Sequence, residues 1–187
     1  MHERAIGYGG MADDHLPDPA PPAPTDPRLP LNARQVFKLK KSWKGIKRNM
    51  ASTGVEMFVR MFRGSDDTRA LFDKFRTITS EDDLRMNETL ENHGSKVLEV
   101  IDDIIANFEN YDDVIHTLTV TGKMHKNFRG FTPSMFWRIE DPFIRAVMLT
   151  LGDRYSDNMD VIYRILIKFI LGNLEKALVA ELSANST

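Results

Sequence analysis

Three histidines, His93, His116 and His125, lie in the part of the chain that carries the large apolar residues, while His2 and His15 stand in a proline-rich amino-terminal stretch. Imidazole is a good axial donor to iron, and His93 and His125 fall on two neighbouring predicted helices joined by a short connection. Such a pair can face each other across a flat ligand, one donor on each side of a metal that already has four equatorial nitrogens. The flat ring then needs an apolar slot, and Phe58, Phe72, Val97, Phe131 and Phe136 are the candidates to line it. Zinc fares worse, because a closed zinc site needs about four ligands and no further histidine or cysteine is placed to complete one. A histidine on an apolar face is also a common packed core residue, and phenylalanines are core in any helical bundle. That plainer reading does not account for the two histidines and the phenylalanines at once.

The elements that must position these residues are all helical. Asn32 with Gln35 three residues later makes a capping pair, and Val36, Phe37, Leu39, Trp43 and Ile46 recur at helical spacing, which predicts a helix over 33–49. Val55, Met57, Phe58, Met61 and Phe62 predict a second over 51–63, with Gly54 leaving a notch where another helix can cross closely. Gly64-Ser65-Asp66-Asp67 ends it, and Leu71-Phe72-Asp73-Lys74-Phe75 puts two aromatics three residues apart in a short helical turn. From 82 to 108, Leu84, Leu90, Val97, Leu98, Ile101, Ile104, Ile105 and Phe108 form one long face that His93 shares. Asp112 can start the next helix, through Val114, Ile115 and Leu118 towards His125. Thr132-Pro133 opens a segment from Met135 to Leu151, and Pro142 inside it should kink the helix. The last segment, 158–182, is apolar nearly all round and so is expected to be central or shared with another subunit. No strand alternation, hairpin signal or internal repeat competes. The expected class is all-α with about seven or eight helices.

Composition narrows the function. The chain has 187 residues and 42% hydrophobic content, enough for one domain with a substantial core. With 25 Lys plus Arg against 27 Asp plus Glu, it lacks the basic excess that nucleic-acid binding requires. The absence of cysteine rules out disulfides, a thiolate nucleophile and iron–sulfur clusters, and suits a reducing, cytoplasmic location. No segment approaches a transmembrane length, no signal core stands at the amino terminus, and Met1-His2 excludes the glycine needed for myristoylation. Seven of the nine prolines fall in the first 30 residues. Residues 1–31 are therefore expected to form a disordered or extended tail that can also dock, 32–182 the folded domain, and 183–187 a short carboxy-terminal tail.

Ser42-Trp43, Gly54 to Phe62, Leu71-Phe72-Asp73-Lys74-Phe75, His93-Gly94-Ser95-Lys96-Val97-Leu98 and the run from Gly122 to Phe136 stand in an order and near a spacing that resembles the globin family. The similarity covers about 32–180. It implies a three-over-three helical sandwich around haem b (iron protoporphyrin IX). By the same resemblance Phe72 matches the phenylalanine that packs flat against haem, and Phe75 its helical companion. His125 matches the proximal histidine, which ligates iron, His93 the distal histidine, and Val97 the apolar residue one turn further along the distal helix. Lys96, Lys74 and Arg129 match places where globins often put cations beside the haem propionates; each can equally be a solvated charge. Met124 precedes the proximal position, where many globins have a residue able to hydrogen-bond the imidazole. A thioether is a poor partner, so ring orientation must rest mainly on the backbone carbonyl near Thr121.

The sixth iron position then decides the function. If His93 stays off the metal, its N–H can hydrogen-bond dioxygen, as in storage globins; if it binds the metal, diatomic gases must displace it. Phe58, where neural globins also tend to carry a bulky aromatic, would crowd that side. The resemblance is to neuroglobin-like and nematode neural globins, many of them bis-histidyl. It thus implies a hexacoordinate haem protein acting in oxygen or redox sensing or one-electron transfer rather than bulk oxygen storage. A reversible dioxygen carrier stays open. So does a haem enzyme (nitric oxide dioxygenation, nitrite reduction or peroxidase-like action), although steady turnover would need an external electron source. The implied partners are haem, dioxygen or other diatomic gases, and an electron-transfer or signalling partner; the apolar last helix leaves a homodimer open.

Overall fold

Six α-helix starts are set by a side chain that accepts a first-turn backbone N–H, the last by Ser156, which accepts from Met159 N at 3.4 Å. Asn32, Ser65, Ser80, Asn87 and Asn110 each sit in extended backbone and bond the amide three residues ahead. The computed structural model describes residues 26–63 and 65–184. Among them are eight α-helices and no strand: α1 (Ala33–Lys47), α2 (Met50–Arg63), α3 (Asp66–Ala70), α4 (Glu81–Arg85), α5 (Glu88–Ala106), α6 (Tyr111–Met124), α7 (Glu140–Leu151) and α8 (Asp157–Ala184). Short 3-10 turns occupy His125–Asn127, Pro133–Ile139 and Gly152–Arg154. The two most extensive contacts are α2 with α5 and α6 with α8. α1, α5 and α6 make one layer and α2, α7 and α8 the other, a three-over-three helical sandwich.

The seam is closed by aromatic anchors with polar handles. Trp43 and Tyr163 are fully buried, with ring centroids 6.3 Å apart. Burial of their polar atoms costs free energy unless a partner is found. Trp43 Nε1 donates to Asp102 of α5 at 3.0 Å, and the Tyr163 hydroxyl lies 2.9 Å from that of Ser42. α1 is thereby fastened to a helix of each layer.

Three expectations need correction. The face predicted as one helix over 82–108 is two, α4 and α5, because Asn87 caps α5 by accepting from Leu90 N at 3.0 Å. Leu84 and Leu90 are both buried, so the apolar pattern runs through the break without marking it. Pro142 does not kink a continuous helix. It is the third residue of α7, where its missing N–H is one that the first turn does not use, and the preceding residues form a separate 3-10 turn. Finally, Leu29 and Leu31 are buried, so the packed chain begins inside the stretch assigned to the tail. The rest of that assignment, with His2 and His15, lies outside the described residues, as do residues 185–187; Ser183 and Ala184 belong to α8.

α8 does run through the centre, burying Ile162, Tyr163, Leu166, Ile167 and Ile170. It is not buried all round. Arg164 pairs with Asp160 at 2.7 Å and Lys168 with Glu140 at 3.7 Å, and Val161 is exposed. Among the described residues no helix is long and apolar enough to cross a membrane.

Candidate functional site

The site is built at two close helix crossings. A Cβ added to Gly54 of α2 would lie 2.6 Å from the carbonyl carbon of Gly94 of α5, and one added to Gly94 would lie 2.7 Å from that of Gly54. The two backbones thus touch where both residues lack a side chain, and the notch expected at Gly54 is filled by Gly94. Next to this contact stand His93 on α5 and, one turn along α2, Phe58. Their ring centroids are 4.9 Å apart, edge to face. The second crossing joins α6 to α8, where a Cβ on Gly122 would meet the Leu174 carbonyl oxygen at 2.6 Å. It fixes the end of α6, and His125 is the residue that caps that end.

His125 Nδ1 lies 2.8 Å from the Thr121 carbonyl oxygen. A carbonyl oxygen can only accept, so Nδ1 carries the proton and donates, and in the neutral ring Nε2 keeps its lone pair. That is the tautomer a metal ligand needs, oriented by a backbone bond rather than by Met124, which is exposed. Phe136, Phe131 and Phe128 surround the ring at 4.6, 4.9 and 5.5 Å between centroids. On the other side Phe72 lies 5.5 Å from His93 and 5.9 Å from Phe75, on which it stacks. The corner that carries both is held by backbone bonds from Phe72 to Arg69, Phe75 to Phe72 and Ile78 to Phe75.

The structure therefore brings His93, Phe58, Phe72 and Phe75 together on one side, and His125, Phe131 and Phe136 on the other. Val97 is half-buried against the same core. Lys74, Lys96 and Arg129 are exposed, with no ion-pair partner among the described residues. His116 is exposed as well and takes no part in this site. Two members were missed from sequence. Phe62, 5.2 Å from Phe72 and 5.9 Å from Phe58, was readable as the residue one turn after Phe58. Phe128 is half exposed, and only its nearness to His125 in sequence points to it.

Burial holds the His93 imidazole below its ordinary value, helped by the positive charge of Lys96 and by repulsion from His125 whenever that ring is protonated. Burial lowers His125 too, partly opposed by the bond to Thr121. Both rings are neutral at pH 7. Because the unfolded chain takes up these protons at higher pH than the folded one, stability tied to the neutral rings is present above about 6.5 and is lost as pH falls through the lowered folded values. In the haem-free chain, the thermal midpoint is expected to drop more between about pH 7.5 and about pH 5 in the wild type than in His93→Gln. Equal drops would mean that His93 is as well hydrated folded as unfolded.

This donor set suits an axially ligated macrocycle. One ring nitrogen is left free by the Thr121 bond, a second imidazole has no hydrogen bond to another described residue, and aromatic edges flank both. No group of three or more His, Asp or Glu able to hold a metal exists among the described residues, which argues against a closed metal cage built from protein alone. The Globin family model matches residues 55–173. The chain belongs to the globin family. This globin is 35% identical to a crystal structure of a hexacoordinated heme protein from an anhydrobiotic tardigrade, with a TM-score of 0.79 over 83% of this chain and 99% of that one. Cytoglobin-1 of Oryzias latipes is 26% identical over 130 residues, 70% of this globin and 71% of its own length. Globin-3 of Mordacia mordax is 25% identical over 100 residues, covering 53% and 67%.

Proposed function

We propose that this globin binds haem b with His125 and His93 as its two axial ligands, and that it works in oxygen or redox sensing or one-electron transfer rather than in oxygen storage. The observation that carries the reading is the setting of His93: a neutral imidazole without a hydrogen-bond partner among the described residues, set against Phe58 and Phe72 on the side of the site that faces His125. The likeness to a hexacoordinated heme protein over nearly all of that chain supports it.

Haem iron supplies a one-electron couple and a sixth position at which a diatomic gas can bind. The protein decides how far that position is open. His125, oriented by Thr121, would hold the iron from one side, with Phe131 and Phe136 packed around its ring. His93 would compete with gases for the other side, and Phe58, 4.9 Å away between ring centroids, would limit where its ring can swing. If His93 leaves the position open in about 1% of molecules, apparent gas affinity falls roughly 100-fold, too low for storage. Two imidazoles suit both oxidation states of iron, so electron transfer through such a donor set requires little rearrangement. Lys96, Arg129 and Lys74 are the cations available to the propionates.

The absorption spectrum of the unliganded ferrous protein tests the reading. A six-coordinate, low-spin spectrum is expected, converting to five-coordinate, high-spin in His93→Ala with faster carbon monoxide binding. A five-coordinate wild type would overturn the bis-histidyl assignment and favour the reversible oxygen carrier, in which His93 N–H serves as hydrogen-bond donor.

A further inference from the structure

Away from both histidines, an open cleft of about 710 Å³ lies where the end of α2, the start of α3 and the start of α7 meet. Four arginines line it: Arg60 and Arg63 from α2, Arg138 from the 3-10 turn before α7, and Arg145 from α7. Its single carboxylate, Asp141, is shared with Arg164 at 3.8 Å. The chain as a whole has a formal charge of -2, so this concentration of positive charge is local.

The four cations are not equally occupied. Arg60 is paired with Glu56, and Arg63 with Glu81. Among the described residues Arg138 bonds only to hydroxyl groups, those of Ser65 and of Thr68, the latter at 2.6 Å. Hydroxyls orient a guanidinium but leave its charge uncompensated. Arg145 is exposed and has no ion pair among the described residues. The buried carboxylate nearby, Glu56, is by contrast matched by both Arg60 and Arg85. Here the unmatched pair, Arg138 and Arg145, converges on a concavity of the size that small ligands fill.

We propose that this cleft binds a small, multiply charged phosphate chain, either inorganic or as the phosphates of a nucleotide. Planar guanidinium forks match the paired oxygens of phosphate groups, and the two unmatched forks of Arg138 and Arg145, beside the carboxylate-paired Arg60 and Arg63, suit a chain of several groups better than a single anion. Lysine, a point charge, lines no part of the cleft. Met61 and Pro142 give it an apolar wall against which a nucleotide base could rest.

The test is calorimetric titration of the full-length protein with sodium tripolyphosphate at low ionic strength, and with citrate as a carboxylate of comparable charge. Saturable binding of one tripolyphosphate per chain is expected, at least about tenfold tighter than citrate and weakened by added salt. Arg145→Gln, an exposed substitution with no partner to lose, should weaken it about tenfold, and so should Arg138→Gln. Lys41→Gln on the exposed face of α1 should leave it unchanged. A nucleoside triphosphate that binds as tightly as tripolyphosphate would assign recognition to the phosphates alone, and tighter binding would add the base to it. No saturable binding, citrate binding equally well, or Arg145→Gln without effect would each overturn the proposal, whatever the spectrum says about His93.

Discussion

Haem is expected to be lost from His125→Gly during gel filtration, with affinity lower by at least about 100-fold, since even an outer-shell partner of a metal ligand is worth about 10–100-fold. The reason lies in the asymmetry of the two imidazoles. His125 is held by Thr121 and enclosed by three phenylalanines, whereas His93 has only ring contacts. A pre-oriented ligand loses less freedom on binding, so it carries more of the affinity. Added imidazole should restore binding in His125→Gly by filling the space the ring vacates. His93→Ala, by contrast, should keep its haem. If His125→Gly retains haem at wild-type strength without imidazole, the proximal assignment is wrong.

Gly94→Val should destabilise the protein by about 3 kcal/mol, lowering the thermal midpoint by about 6–12 °C. Two effects oppose each other. Removing a helix-interior glycine contributes up to about 1 kcal/mol of helix propensity, less for a β-branched residue. Against it stands the 2.7 Å approach of the new Cβ to the Gly54 backbone, which no side-chain rotation can relieve. Overpacking of about 1–3 kcal/mol, and more where backbone must move, decides the sign. α2 and α5 must then separate, and Phe58 moves away from His93 with them. The spectrum should shift toward the five-coordinate form together with the midpoint. A midpoint at or above that of the wild type would show that the crossing can relax.

Most of the fold was legible because α1, α2, α6 and α8 each bury a stripe at helical spacing. Breaks were harder to read than helices. Asn87 interrupts a face whose apolar residues continue at compatible spacing, and Pro142 sits in a pattern that spans a 3-10 turn and an α-helix without changing period. Leu29 and Leu31 were hidden by the prolines around them, since composition does not reveal a few anchoring side chains. In the site, the histidines and the Phe72–Phe75 corner stood out by type and order. Gly94 and Gly122 did not: a glycine inside a helix declares neither what crosses it nor how closely. The arginine cleft was invisible for a related reason. Its four cations come from three segments, the widest pair 85 positions apart in sequence, Arg60 and Arg145, and only the fold gathers them.

The corner from Leu71 to Ile78 differs in kind from the rest of the pocket wall. Its internal backbone bonds reach back only three residues, and among the described glycines only Gly130 meets it, where an added Cβ would lie at the ordinary contact distance of 3.5 Å from the tip of Leu71. Both helix crossings, in contrast, must break as wholes if they break at all. Amide hydrogens in the corner should thus exchange with solvent through small local openings, while those at the crossings wait for openings that approach global unfolding. Access to the His93 side is then expected to follow these local openings, in which Phe72 lifts from Phe75, rather than the overall stability of the domain.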